Sequence, residues 1–225
     1  MHTKDKLLLV LSSLMVGWMV VHAQPRTIEK PLLAIDTITI DTPTTINVKG
    51  KTALFIGDSH TANHNNGWQK VLSSKVGFNM INASVSGKTT YWMVNEAVYR
   101  LTNEIDYCFV YGGANDMYTS SISPKEAIHN IKGIARICNN LGVKCVILTG
   151  FDPIKCTRTS NPRYAYRYAE LQRLLLTGNI EGARVIDTRV VPRTDCWDGL
   201  CHMNPAGHRK VAEKVISDLN FVVLK

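Results

Sequence analysis

Apolar residues along this chain fall into two kinds of stretch that alternate from residue 52 onward. Short runs rich in apolar residues occur at Ala53–Ile56, Phe78–Ile81, Tyr107–Tyr111, Val143–Leu148 and Arg184–Ile186. Between and after them, apolar positions recur at helical spacing over 66–75, 89–102, 124–141, 162–177 and 205–219. Pro124 and Pro205 stand at first-turn positions, where a missing N–H does no harm, and Gly142 follows its helix in the C′ role. Unbroken apolar strands alternating with amphipathic helices predict a parallel sheet covered on both faces. The expected fold is therefore α/β: a single three-layer, flavodoxin-like domain with a mostly parallel five-stranded sheet. In such sheets the ligand site lies at the carboxyl ends of the strands. Ser59, Gly87 and Asn115 each follow a predicted strand, so all three are expected at one edge.

Upstream of residue 52 the pattern differs. Lys4 and Lys6 precede the apolar run 7–23, which carries no charge, and Val21-His22-Ala23 is followed by the polar Gln24-Pro25-Arg26. A positive start, an apolar centre and such a site describe a secretion signal. The run is also about as long as the shortest membrane-spanning helix, which leaves an uncleaved anchor as the rival reading. The lysines would keep the N-terminus cytoplasmic in either case, so the expected location is outside the cytoplasm: secreted, periplasmic or anchored and facing outward. Residues 24–50, with Thr and Pro and a short alternation of Ile38, Ile40, Ile46 and Val48, read as a tether with one edge strand at most. The expected organisation is thus 1–23 signal or anchor, 24–50 tether and 51–225 domain.

Length and composition narrow the field further. A chain of 225 residues suits one well-buried domain, and its 45% hydrophobic and 20% charged residues are ordinary for a globular protein. The formal charge of +8 favours anionic surroundings without selecting among them; with export, it gives no reason to expect a nucleic-acid partner. Basic residues gather at Lys155, Arg158, Arg163, Arg167 and Arg173, interleaved with Tyr164, Tyr166 and Tyr168. They read either as a solvated helix face with aromatic packing or as a rim for an anionic or sugar substrate. Six cysteines are compatible with disulfides in an exported protein. Cys196 with Cys201 and Cys138 with Cys145 are short-range candidates, whereas Cys108 lies in an apolar run and reads as a small hydrophobe. No Cys-x-x-Cys pair occurs, and no His–Cys spacing suggests zinc.

The chemistry concentrates in four places. Phe55-Ile56-Gly57-Asp58-Ser59-His60 puts a serine on a glycine-opened turn after a strand, where a nucleophile can reach the rim of a sheet. Ser86-Gly87 and Gly113-Ala114-Asn115-Asp116 each follow another apolar run. Asp198-Gly199-Leu200-Cys201-His202-Met203-Asn204-Pro205 supplies an acid and a base ahead of the last helix. In this order the four resemble the SGNH (GDSL-type) hydrolase family, named for its Ser, Gly, Asn and His. The resemblance runs from residue 52 to about 220.

It implies a catalytic set of Ser59 as nucleophile, His202 as base and Asp198 as the acid that orients it. It also implies an oxyanion hole from the backbone N–H groups of Ser59 and Gly87 and the Asn115 amide, with no cofactor. The family spaces acid and base as Asp-x-x-His, whereas Asp198 and His202 are four apart. Asp195 or a backbone carbonyl therefore stays open as the group that orients His202. His208 is expected to pack or cap on the final helix, Asp58 to brace the nucleophile turn, and His60 and His64 to be polar loop residues. Trp68 and Trp92 read as core, and Trp197 as a substrate-rim aromatic. The function implied is an exported serine esterase acting on O-acyl, foremost O-acetyl, esters of envelope or dietary glycans. A lipase or lysophospholipase and a catalytically silent module binding a glycan or a partner are the alternatives.

Overall fold

The computed structural model describes residues 44–62, 66–119, 121–156, 162–197 and 202–224, the side chains of 155 and 156 excepted. The apolar run 7–23, the tether up to residue 43, His64, Arg158, Asp198 and Cys201 lie outside the described residues. Five strands form one sheet: β1 (Thr52–Gly57), β2 (Asn79–Asn82), β3 (Tyr107–Tyr111), β4 (Lys144–Leu148) and β5 (Ala183–Ile186). Their order is β2-β1-β3-β4-β5 and every pairing is parallel. Burial follows this order. All five residues of β3 are buried, as are the last five of β1, while the edge strands β2 and β5 are only partly covered.

Helices α1 (Trp68–Val76) and α7 (Pro205–Asp218) pack together, and α2 (Thr90–Arg100), α4 (Pro124–Asn140) and α6 (Pro162–Thr177) pack in succession. Beneath α1, Phe55 and Phe109 stack with centroids 4.9 Å apart, and Trp68 meets Phe55 edge-on at 5.3 Å. Phe78, Tyr107 and Phe221 extend this aromatic cluster. Burying each such ring stabilises the fold by about 1.5–3 kcal/mol.

The helix ends follow local chemistry. Ser123 and Glu126 form a reciprocal capping box ahead of α4, with Pro124 at its start. Gly142, at φ 71°, turns the chain out of α4 into β4. Asn204 accepts from the N–H groups of Ala206 and Gly207 and so caps α7.

Two short helices go beyond the sequence expectation, α3 (Ala114–Thr119) and α5 (Pro153–Cys156). Ile46 pairs with the segment around Phe221, donating to the Asn220 carbonyl at 2.8 Å, and Val48 is buried in the core. The last residues of the stretch read as a tether therefore belong to the packed domain. The thiols expected to pair, Cys138 and Cys145, are instead free, as is Cys108. Cys108 and Cys145 are register partners on β3 and β4, and Cys138 lies on the buried face of α4. All three are buried, and the Cys138 thiol hydrogen-bonds with those of Cys108 and Cys145. Cys196 is disulfide-bonded. Among the described residues, no helix is long and apolar enough to cross a membrane.

Candidate active site

The sheet delivers its first site residue through a steric constraint at the end of β1. A Cβ on Gly57 would lie 2.5 Å from the Tyr111 carbonyl oxygen and 2.8 Å from Thr61 Oγ1, so only glycine lets the strand leave the sheet there. The next carbonyl, that of Asp58, accepts from both Thr61 N–H (3.0 Å) and Ala62 N–H (2.8 Å), closing a tight turn around Ser59. Asn82 and Trp68 brace the turn through the Thr61 carbonyl and hydroxyl. Asp58 itself is wholly buried, and its Oδ1 accepts from His60 N–H at 3.0 Å, an Asx-turn contact.

The opposing group arrives from the far end of the chain. Cys196 and Met203 form an antiparallel bridge, and Trp197 N–H donates to the His202 carbonyl at 2.8 Å. Asn204 N–H donates to the Asp195 carbonyl at 2.8 Å, so the base loop is pinned on both sides just before α7. In this setting His202 Nε2 lies 2.9 Å from Ser59 Oγ. The Asp195 carboxylate goes to Lys210 Nζ at 2.6 Å. His208 accepts from Trp68 N–H through Nδ1 at 3.2 Å, and thereby caps the start of α1. Asp198 lies outside the described residues.

Ser59, His60, Ser86, Gly87, Ala114, Asn115, Tyr118, Tyr164 and His202 enclose one cavity of about 440 Å³ at the carboxyl ends of the strands. Gly87 adopts φ 77°, a left-handed conformation that disfavours any side chain. A Cβ there would meet no atom within 4 Å, so the backbone angle, rather than crowding, calls for glycine. Asn115 and Asp116 divide their work on α3. Asn115 lines the cavity, and its Nδ2 donates to the Lys88 carbonyl at 3.1 Å. Asp116 is buried on the other side, where it accepts from Thr90 N–H and Thr90 Oγ1 and anchors the start of α2. Burial is the main reason that the Asp116 carboxyl lies above its ordinary range, with the Thr90 hydrogen bonds opposing it.

Several expectations meet a different outcome. His60, read as a polar loop residue, sits in the turn but is only 3% exposed, lines the cavity and packs its ring on that of His202. Its burial depends on Tyr111 and Phe151, far away in sequence. Tyr118 and Tyr164, in edge-to-face contact at 5.9 Å, form an aromatic wall of the cavity. Tyr164 and Tyr168 are buried, Tyr166 is exposed, and Arg167 donates to the carbonyls of Met117 and Ile122. Arg173 pairs with Glu170 on the exposed face of α6. That segment is thus mainly a packed helix, with Tyr164 as its contribution to the cavity. Trp68 is buried and Trp92 packs against the core, while Trp197 is exposed and is not among the cavity's lining residues. Among the described residues, no group of three or more His, Cys, Asp and Glu side chains is arranged to hold a metal ion.

Burial also pushes the Asp58 carboxyl up to about 7, only partly offset by the His60 N–H. Its Oδ2 has no hydrogen-bond partner among the described residues. The folded protein therefore holds a proton that the unfolded chain releases near its ordinary pKa of 3.8. The stabilisation is fully present below that value and is lost as pH rises through about 7. Thermal unfolding should accordingly show stability declining between about pH 4 and 7, with a shallower decline in Asp58→Asn. An identical pH dependence in the two proteins would refute this.

The comparisons with known proteins agree with this fold. A lipolytic protein of the G-D-S-L family from Veillonella parvula superposes with a TM-score of 0.61 at 18% identity, covering 75% of this chain and 97% of its own. An acetylxylan esterase from Geobacillus stearothermophilus gives a TM-score of 0.60 at 15% identity over 78% of this chain and 97% of its own. TesA gives 0.59 at 19% identity over 75% and 98%. No curated protein is similar enough in sequence to be named as a relative. The family model for GDSL-like lipases and acylhydrolases matches residues 55–210, a span that begins in β1 and ends within α7. Sheet order and sequence match together place the chain: it belongs to the GDSL-like lipase/acylhydrolase family.

Proposed function

We propose that this protein is a serine esterase that hydrolyses O-acyl esters, with acetyl groups on a glycan as its favoured substrates. The observation that carries this reading is the 2.9 Å contact between Ser59 Oγ and His202 Nε2 in a cavity that Gly87 and Asn115 also line. Ser59 Oγ attacks the ester carbonyl while His202 takes its proton at Nε2. The oxyanion that forms is held by the N–H groups of Ser59 and Gly87 and by the Asn115 amide. Collapse of this intermediate transfers the proton from His202 to the departing alcohol and leaves an acyl-serine. His202 then activates water, which releases the acid and restores Ser59. Asp198 is the proposed acid that orients the base, and the commitment of Asp195 to Lys210 favours it over Asp195.

The cavity walls mix the rings of Tyr118 and Tyr164 with the polar Ser86, Asn115 and His60. Aromatic rings with polar groups between them are a lining that a sugar carrier can use. Export is part of the proposal, supported by the N-terminal charge and hydropathy pattern and by the disulfide at Cys196. Hydrolysis of p-nitrophenyl acetate, butyrate and octanoate tests the acyl preference. Acetate is expected to be turned over at least about tenfold faster than octanoate, a difference of about 1.4 kcal/mol in barrier. A rate that rises with chain length would overturn the acetyl preference.

A further inference from the structure

We infer that His60 is a positioning residue for His202, holding the base's imidazole in the orientation from which Nε2 meets Ser59 Oγ. This rests on the reading of Ser59 and His202 as nucleophile and base. The two imidazoles lie with centroids 5.1 Å apart and planes inclined by 26°. His60 is itself packed on two rings. Its ring stacks on Tyr111 at 5.4 Å and 12° and packs against Phe151 at 5.0 Å. Its backbone N–H is held by Asp58 Oδ1, within the turn that presents Ser59.

The main-chain contacts of Trp197 and Asn204 fix where the base loop runs, and the rotation of the His202 ring is set by what surrounds it, the proposed acid and the flat face of His60 together. The ring torsion of a histidine is soft, with a broad distribution of angles. A flat partner of matched orientation restricts it. Because His60 follows Ser59 directly in the chain, nucleophile and plate move as one unit. His202 lies against both, through its Nε2 and its ring. A small misplacement of a reacting group can cost a large factor in rate, so a ring that holds the base in register affects turnover through the base.

Kinetics of His60→Leu and His60→Phe with p-nitrophenyl acetate, with Ser59→Ala measured alongside, test the inference. Leucine fills the space without a flat face, so kcat should fall about tenfold or more while KM stays within about threefold. Phenylalanine restores the flat face, and its kcat should stay within about threefold of the wild type. A His60→Leu enzyme with wild-type kcat would overturn the positioning role, and so would a His60→Phe enzyme with more than a tenfold loss. If the leucine variant fails to unfold cooperatively, the phenylalanine variant decides alone on the same criterion. Wild-type turnover in Ser59→Ala would instead remove the serine mechanism, and this role with it.

Discussion

Replacing Ser59 or His202 with alanine is expected to lower kcat/KM for p-nitrophenyl acetate by about 10⁴-fold or more in a protein that remains folded. A serine hydroxyl is a weak nucleophile unless its proton leaves as the bond to carbon forms, and the 2.9 Å contact gives that proton one route to His202. Without the imidazole the hydroxyl must shed its proton to water. Without the hydroxyl the imidazole has no covalent partner to activate. The two losses should not add: the double variant is expected to be about as slow as either single one, because both remove the same step. Ser59 is held by the backbone turn at Asp58, and His202 by the Cys196–Met203 bridge, so neither truncation removes an element of the core. Melting curves recorded beside the kinetics check this. Single variants that keep more than a tenth of the wild-type rate would contradict the assignment.

Loss of the Asn115 amide has the second largest expected effect, a fall of about 10²–10³ in kcat for Asn115→Ala, or about 2.7–4 kcal/mol of barrier. One hydrogen of the amide is committed to the Lys88 carbonyl at 3.1 Å, which fixes the side chain before substrate arrives. The second is available to a ligand in the cavity that the residue lines. A donor held in this way needs no reorganisation as charge develops on the ester oxygen. The effect should therefore fall on kcat far more than on KM. Asn115→Asp, which keeps the shape and adds negative charge beside the developing oxyanion, should be at least as impaired. Steady-state kinetics on both variants provide the check, and a change confined to KM would exclude the oxyanion role.

Much of the fold was legible because its central strands are covered on both faces and so read as unbroken apolar runs. Tyr107–Tyr111 is the clearest instance, with predicted and observed bounds identical. The capping signals at Ser123-Pro124 and Asn204-Pro205 act over a few residues and can be read locally. What escaped depends on partners distant along the chain or on elements too short to carry a period. Helices α3 and α5 span six and four residues, too few for a repeating apolar face. Ile46 and Val48 join the domain through Phe221 and the core, at the other end of the sequence. Cys138 and Cys145 are close in sequence, but both point into an apolar interior where free thiols pack well. His60 looked like any polar residue in a turn, since Tyr111, Phe151 and His202 surround it only after the sheet has formed. Four landmarks of the cavity were visible because each follows an apolar run or precedes a capped helix. Its aromatic wall was half visible: Tyr164 was among the residues that offered a substrate rim, whereas Tyr118 was not singled out, because it comes from a separate short helix that α/β packing brings alongside.

The most direct test of the central claim is covalent labelling of the intact protein with a fluorophosphonate, followed by mass mapping of the modified residue. The account predicts one label per chain, on Ser59, with labelling abolished in Ser59→Ala and strongly slowed in His202→Ala. A folded protein that takes up no label, or carries it on another residue, would contradict a serine nucleophile at Ser59.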